Sequence, residues 1–296
     1  MFSAIVYVVV LIIWGHIFTN IKFKQNLSTE KGSIGHLYTR LKEVKKIKDV
    51  DVLFLGSSHA YRGFDPRIFN EHGISSFNLG SSAQTALQTK VLLNRYLENI
   101  NPKTIVYEVY PNSFSSDGVE SSLDLLANDV IDKNAMKMAF KINHIKTYNA
   151  LIYYFISNKI LNEVEFVEKE KKGNDSYVSG GFVEKKITYF KTKSQNERSF
   201  KFNTNQLNDL KDIINLIKDK KYRLILVYAP ITPSLYKSNN NNVEYDSIMN
   251  NLSEYYNFNE LMVLNDSTCF YDPHHMNQNG VKLFNNKMLE VIDFKK

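Results

Sequence analysis

Cysteine is almost missing from this chain of 296 residues: Cys269 stands alone. One thiol excludes an internal disulfide framework and any zinc site built on several cysteines. It is either a reactive nucleophile or, as Thr268, Phe270 and Tyr271 around it favour, a packed strand-end residue. A concentrated basic stripe is also lacking. The net charge is +6 and the pI near 9, but lysines and acids are interleaved, as in "VEKEKKGND", so the pattern gives no track for a phosphate backbone and no nucleic-acid partner is expected. A mild attraction to anionic lipid headgroups accounts for the charge equally well. What is present is ordinary for a globular protein: 43% hydrophobic and 23% charged residues, enough for one large α/β domain with insertions.

Charge is absent from Met1 to Ile21, where "FSAIVYVVVLIIWGHIF" is nearly all apolar. About 18 helical residues reach roughly 27 Å, close to the thickness of a bilayer's hydrocarbon. No small-x-small cleavage pattern and no lipobox cysteine follow. The expectation is an uncleaved N-terminal transmembrane anchor over 1–21 and a polar, Lys-rich juxtamembrane stalk over 22–48. A buried core helix is the other reading. Lys22 and Lys24 follow the span and nothing basic precedes it, which by the positive-inside rule puts the body in the cytoplasm.

From residue 49 onward the chain alternates. "DVDVLFLG" (49–56), "ISSFNLG" (74–80), "TIVYEVY" (104–110), "YRLILVYAP" (222–230) and "LMVLND" (261–266) read as strands. Between them lie helical patterns: a short one closed by Gly73, one from Ala83 to Asn99, one over 205–220, one over 244–256, and a closing helix over 279–292. Apolar strands alternating with amphipathic helices imply a parallel sheet covered on both faces, a flavodoxin-like three-layer α/β/α sandwich. Ligands then sit at the carboxyl ends of the strands. Residues 113–202 break the alternation and read as an insertion packed over the sheet edge or the mouth of the site.

Two segments carry chemistry. In "FLGSSHAYRGF" a serine follows a strand and a glycine and opens a helix, so its hydroxyl projects above the sheet among free backbone N–H groups. Gly/Ser-rich βα turns also arise for steric reasons alone. In "FYDPHHMNQNGVKLF", Asp272 and His275 share one tight loop, where a carboxylate can orient an imidazole toward a nucleophile. Asp272, His274 and His275 are also metal-ligand types, but no HxxxH pattern or His/Glu cluster supplies further ligands. A purely structural histidine pair is the third reading.

Taken together, in order and in strand context, these segments resemble the SGNH/GDSL hydrolase superfamily across residues 50–290, the insertion aside. "LGSS" matches the first block with Ser58 as nucleophile, "NLGSSAQT" the second with Gly80, and "DPHH" the last with Asp272 and His275. The resemblance implies a Ser58–His275–Asp272 triad and an oxyanion hole from the N–H groups of Ser58 and Gly80. Two departures stand out. Ser57 replaces the first-block aspartate, and "YEVYPNSF" replaces the third block's Gly-x-Asn-Asp, leaving Asn112 either as the missing amide or as a turn residue after Pro111. Both departures are similar to the membrane-anchored branch that works in cell-surface polymer acylation, including D-alanylation of teichoic acids and O-acetylation of alginate. That likeness implies an extracytoplasmic body, against the charge rule.

The expected activity is that of a serine esterase or O-acyltransferase acting on an acylated cell-envelope or capsular glycan, with no cofactor or metal required. Its alternative is an SGNH-shaped accessory protein that presents polymer to a membrane-embedded acyltransferase. His59 and Arg62 are candidate substrate-binding residues or solvated helix residues. Glu108, inside an apolar strand, needs a buried partner, which Arg62 or the Ser-rich loops can supply. Gln84 and Thr85 read as helix-capping residues.

Overall fold

The computed structural model describes residues 2–17, 30–159, 166–191 and 195–294. Helices α1 (Phe2–Ile17) and α2 (Leu37–Val44) precede strand β1 (Val52–Leu55), which is followed by α3 (Ser58–Gly63), α4 (Pro66–Glu71), β2 (Ser76–Asn78), α5 (Ala86–Ile100) and β3 (Thr104–Glu108). Then come α6 (Val119–Asn128), α7 (Lys133–Ile142), α8 (Ile145–Lys159), and a small antiparallel sheet of β4 (Lys171–Lys172), β5 (Asp175–Val178) and β6 (Phe182–Lys185). The chain closes with α9 (Thr204–Asp219), β7 (Arg223–Tyr228), α10 (Pro233–Lys237), α11 (Asn242–Leu252), β8 (Glu254–Asn257), α12 (Phe258–Leu261), α13 (Asp266–Cys269) and α14 (Gln278–Val291).

The main sheet has the order β2-β1-β3-β7-β8 with every pairing parallel. Because side chains alternate along a strand, each central strand feeds two cores. Leu53, Leu55, Ile105, Tyr107, Leu224 and Leu226 join α5, α9 and α11 on one face. Val52, Phe54, Val106, Ile225 and Val227 join α3, α4 and α14 on the other. The result is the expected three-layer sandwich. Its strand order reverses between β1 and β3, and a crevice opens beyond the carboxyl ends of strands at such a reversal.

The segment beneath that crevice is firmly held. Phe54 stacks on Phe64 at 4.6 Å and meets Phe69 edge-on at 4.9 Å; all three are fully buried, worth about 1.5–3 kcal/mol each. Buried Asn78 donates to the carbonyls of Ala60 and Phe64, and buried Asn285 donates to that of Gly63. These two amides fix the far end of the six-residue α3, and therefore the position of Ser58 at its start.

Several expectations change. The strand expected at 261–266 is not formed; α12 and a loop occupy it, with Val263 87% exposed. The fifth strand lies earlier, at Glu254–Asn257, where the sequence pattern suggested the end of a helix. Being an edge strand it pairs only with β7, so it lacks the long apolar run of a central strand. The stalk expectation also shifts. Within it, α2 buries Leu37, Leu41 and Val44 in the main core, so residues 37–44 belong to the body.

No helix among the described residues is long and apolar enough to cross a membrane. The expected anchor is represented by α1, 16 residues long, which lies along α8 with Tyr7 donating to Asn149 at 2.6 Å and Leu11 buried. Met1 and residues 18–21 of that expected span, with residues 22–29 of the expected stalk, fall outside the described residues.

The insertion, within the described residues, has two parts. Helices α6–α8 pack on the α5 face. The β4–β6 hairpins reach the opposite side, where the Gly180 carbonyl accepts from the Asn78 N–H at 2.8 Å beside edge strand β2. Gly181 has φ +88° and rests on the Asn78 carbonyl so closely that any side chain would overlap it. Buried Arg40 of α2 donates to the Gly181 carbonyl at 2.8 Å and locks the hairpin in place.

Candidate active site

Ser58 begins α3 directly after β1, and the loop of residues 270–277 precedes α14. Although 217 positions apart, the two meet: Ser58 Oγ lies 2.8 Å from His275 Nε2. His275 Nδ1 lies 2.9 and 3.1 Å from the two oxygens of Asp272. The loop that carries Asp272 is shaped by the same carboxylate, since Oδ1 accepts the backbone N–H groups of His274 and His275, each at 2.8 Å. Thr232, after β7, binds the Pro273 carbonyl with both its N–H and its hydroxyl. Asn277 then caps α14 by accepting from Asn279 and Gly280.

This arrangement fixes the proton positions. Burial pushes the Asp272 pKa up, but the His275 ring, its charge and the two backbone N–H groups outweigh it and hold the carboxyl below its ordinary value. A carboxylate only accepts, so Nδ1 of His275 carries a proton, and in the neutral ring this leaves Nε2 as the base facing the Ser58 hydroxyl. Two rings stack on His275: Tyr271 at 5.5 Å and 3°, and His59 at 4.8 Å and 22°. They limit rotation of the imidazole away from Ser58.

Ser58 and His275 open on a cavity of about 530 Å³ lined also by Ser82, Ala83, Tyr110, Asn112, Ser113, Ser116 and His274, with Glu120 on its wall. Serine and tyrosine hydroxyls and the Asn112 amide supply polar groups to a lining that is otherwise largely apolar surface. At the first position of α3 the Ser58 backbone N–H lies outside the helical ladder.

The other expected residues fall as follows. Gly80 packs against the nucleophile turn, where a Cβ would crowd Ala60 and the carbonyls of Gly56 and Ser57. Its N–H donates to the Asn78 side chain at 3.1 Å rather than into the cavity. Asn112 is on the cavity wall, but its Nδ2 donates to the Tyr110 hydroxyl at 3.0 Å. His59 lines the cavity floor and is 6% exposed. Arg62, one turn further along α3, is not on that cavity: it makes a bidentate pair with Asp175 of β5 at 2.7 and 3.1 Å. Gln84 donates to Thr89, and Thr85 with Gln88 forms the capping box of α5. Cys269 is buried. Among the described residues no group of three or more His, Cys, Asp or Glu is placed to hold a metal ion, and both His275 nitrogens are already taken.

Glu108 finds its partner in Ser57, not Arg62. The Ser57 hydroxyl donates to Glu108 Oε2 at 3.1 Å and lies 3.1 Å from His59 Nδ1. Burial raises the Glu108 pKa to about 8, against the smaller opposing effect of the Ser57 bonds. His59 is pushed well below its usual value, by burial first and then by repulsion from His275 and His274 in their protonated forms. Sequence reasoning missed Tyr110, whose hydroxyl lies 2.7 Å from His274 Nδ1. The one available signal was its place just past the end of β3 and before Pro111.

No family model matches the chain, and no curated protein matches it by sequence. Solved structures share its overall layout weakly. A Bacteroides fragilis protein whose description proposes an acylhydrolase matches with a TM-score of 0.42 and 12% identity, covering 88% of this chain and 96% of the other. A GDSL-like lipase from Bacteroides thetaiotaomicron matches with a TM-score of 0.42 and 13% identity, covering 86% and 96%. At that level of likeness neither neighbour says what this chain does.

Proposed function

We propose that the chain is an SGNH-type serine esterase or O-acyltransferase in which Ser58 is the nucleophile, His275 the general base and Asp272 the residue that orients it. The observation that carries this reading is the 2.8 Å approach of Ser58 Oγ to Nε2 of His275, with Nδ1 held by a carboxylate. Ser58 attacks an ester carbonyl as its proton passes to His275. The resulting acyl-enzyme is then resolved by water or by a sugar hydroxyl. Serine, asparagine and tyrosine lining suits a hydroxyl-rich substrate, in keeping with an acylated envelope or capsular glycan. The outward face of α1, with Phe2, Ile5, Val9, Val10 and Ile13 exposed, supports attachment to a membrane. A serine-directed fluorophosphonate tests the chemistry. Labelling of the wild type and its loss in Ser58→Ala are expected, and an unlabelled wild type refutes the reading.

A second reading, a non-catalytic partner that hands polymer to a membrane acyltransferase, draws on one observation: the Gly80 N–H is spent on Asn78. Under that reading the wild type stays unlabelled yet binds the polymer.

A further inference from the structure

With the Gly80 N–H turned toward Asn78, the cavity's second hydrogen-bond donor has to come from elsewhere, and the wall formed by Tyr110 and His274 supplies one. The Tyr110 hydroxyl lies between Asn112 Nδ2 at 3.0 Å and His274 Nδ1 at 2.7 Å. The Arg198 guanidinium sits beside the same hydroxyl and opposes the upward push of burial on it. An amide NH₂ and a guanidinium have only protons to give, so neither can accept the phenol proton, and Asn112 takes one lone pair of the phenol oxygen. Its single proton is directed at His274 Nδ1. A neutral imidazole that accepts at Nδ1 carries its own proton on Nε2. Burial, then repulsion from His275 in its protonated form, holds the His274 pKa below its usual value, which favours the neutral ring. The backbone N–H of His274 is bound to Asp272, so the ring is placed by the same carboxylate that orients His275. Its centroid is 6.3 Å from that of His275, and it lines the cavity into which Ser58 points.

Resting on the esterase reading above, we propose that His274 is a catalytic residue whose Nε2–H donates a hydrogen bond to the oxyanion formed when Ser58 adds to the substrate carbonyl. In that step the Ser58 Oγ–carbon bond forms, the hydroxyl proton moves to His275 Nε2 and the carbonyl π pair becomes a lone pair on oxygen. His274 keeps its proton throughout. When the tetrahedral adduct collapses, the carbonyl reforms and the leaving oxygen takes the proton from His275. The task of the missing Gly-x-Asn-Asp amide thus passes along Asn112 and Tyr110 to an imidazole.

The test uses the full chain, an aryl acetate as substrate, and the variants His274→Ala, His274→Asn, His274→Gln and Tyr110→Phe. Asparagine places its amide near Nδ1 and glutamine near Nε2, so only glutamine restores a donor to the cavity. Removing one oxyanion donor typically costs about 10²–10³ in rate. Alanine and asparagine are therefore expected to lose about 10²-fold in kcat with KM nearly unchanged, and glutamine to stay within about tenfold of wild type. Nitrogen-15 spectra of histidine-labelled protein at pH 7 should place the His274 proton on Nε2, and Tyr110→Phe should mix the two tautomers. Wild-type kcat in the alanine variant, glutamine no better than asparagine, or a proton on Nδ1 overturns the proposal. A wild type without Ser58-dependent turnover overturns the esterase reading and the donor role with it, while the spectrum still decides the tautomer.

Discussion

Two serine–histidine–acid groupings lie side by side in this molecule, built from adjacent serines of one turn. In the outer one the imidazole of His275 stands between the Ser58 hydroxyl and the Asp272 carboxylate. In the inner one the Ser57 hydroxyl stands between the His59 imidazole and the Glu108 carboxyl. Burial separates them. The Asp272 and His275 side chains are 36% and 20% exposed, whereas Glu108, Ser57 and His59 are exposed by 2%, 4% and 6%. Asp272 stays ionised beside its donors, while Glu108 keeps its proton up to about pH 8. Only the outer set can take a proton without creating charge in a low-dielectric interior. The inner set acts as a support, its His59 ring stacked beneath that of His275. The same three functional groups, hydroxyl, imidazole and carboxyl, thus divide under the proposed reading into a reactive set and a scaffold, by exposure and by which member is in the middle.

The sharpest way to break this comparison is to alter one member of each set. Asp272→Asn should cut kcat by about 10⁴, because the imidazole then loses the acceptor that fixes its tautomer. Ser57→Ala should cost no more than about tenfold, since it removes only support. Steady-state kinetics with an aryl acetate check both, and equal losses would erase the distinction between the sets.

Stability against pH gives the next effect. The Glu108 pKa is raised from 4.5 to about 8 in the folded chain, and that of Asp124, also through burial first, from 3.8 to about 8. Between those limits the folded state holds protons that the unfolded chain has released. Their contribution is fully present below about pH 4 and is lost as pH rises toward 8. Denaturant midpoints should therefore fall between pH 5 and pH 8.5, and Glu108→Gln should flatten the fall by on the order of a few kcal/mol. An unchanged slope in that variant would mean that Glu108 is ionised in the fold. The smallest effect belongs to Arg62, which lies outside both sets. Arg62→Ala should cost about 1 kcal/mol through the lost Asp175 pair and leave kcat within about twofold.

Much of this was legible in the residue pattern. The three central strands announce themselves because burial on both faces demands continuous apolar runs such as "VLFL" and "RLILVY". Ser58, Asp272 and His275 are readable because each sits at a fixed offset from the end of a strand or the start of a helix. The edge strand β8 was misread because "EYYN" puts one polar residue and one tyrosine on each face and has only four residues, too few for a period of two to stand out against "LMVLND". The link from Tyr110 to His274, and that from Ser57 to Glu108, depend on which strands are neighbours and in what register. No local pattern encodes that.

The small hairpin sheet has a consequence beyond the site. Open sheets end in strands whose unpaired backbone invites other chains to add on. Here the chain closes one of those ends itself: the Gly180 carbonyl takes up the Asn78 N–H, and the absence of a side chain at Gly181 lets the two backbones touch. A bulkier residue at Gly181 would push this cover off and leave β2 as a sticky margin, so self-association, rather than lost activity, is the failure to expect there.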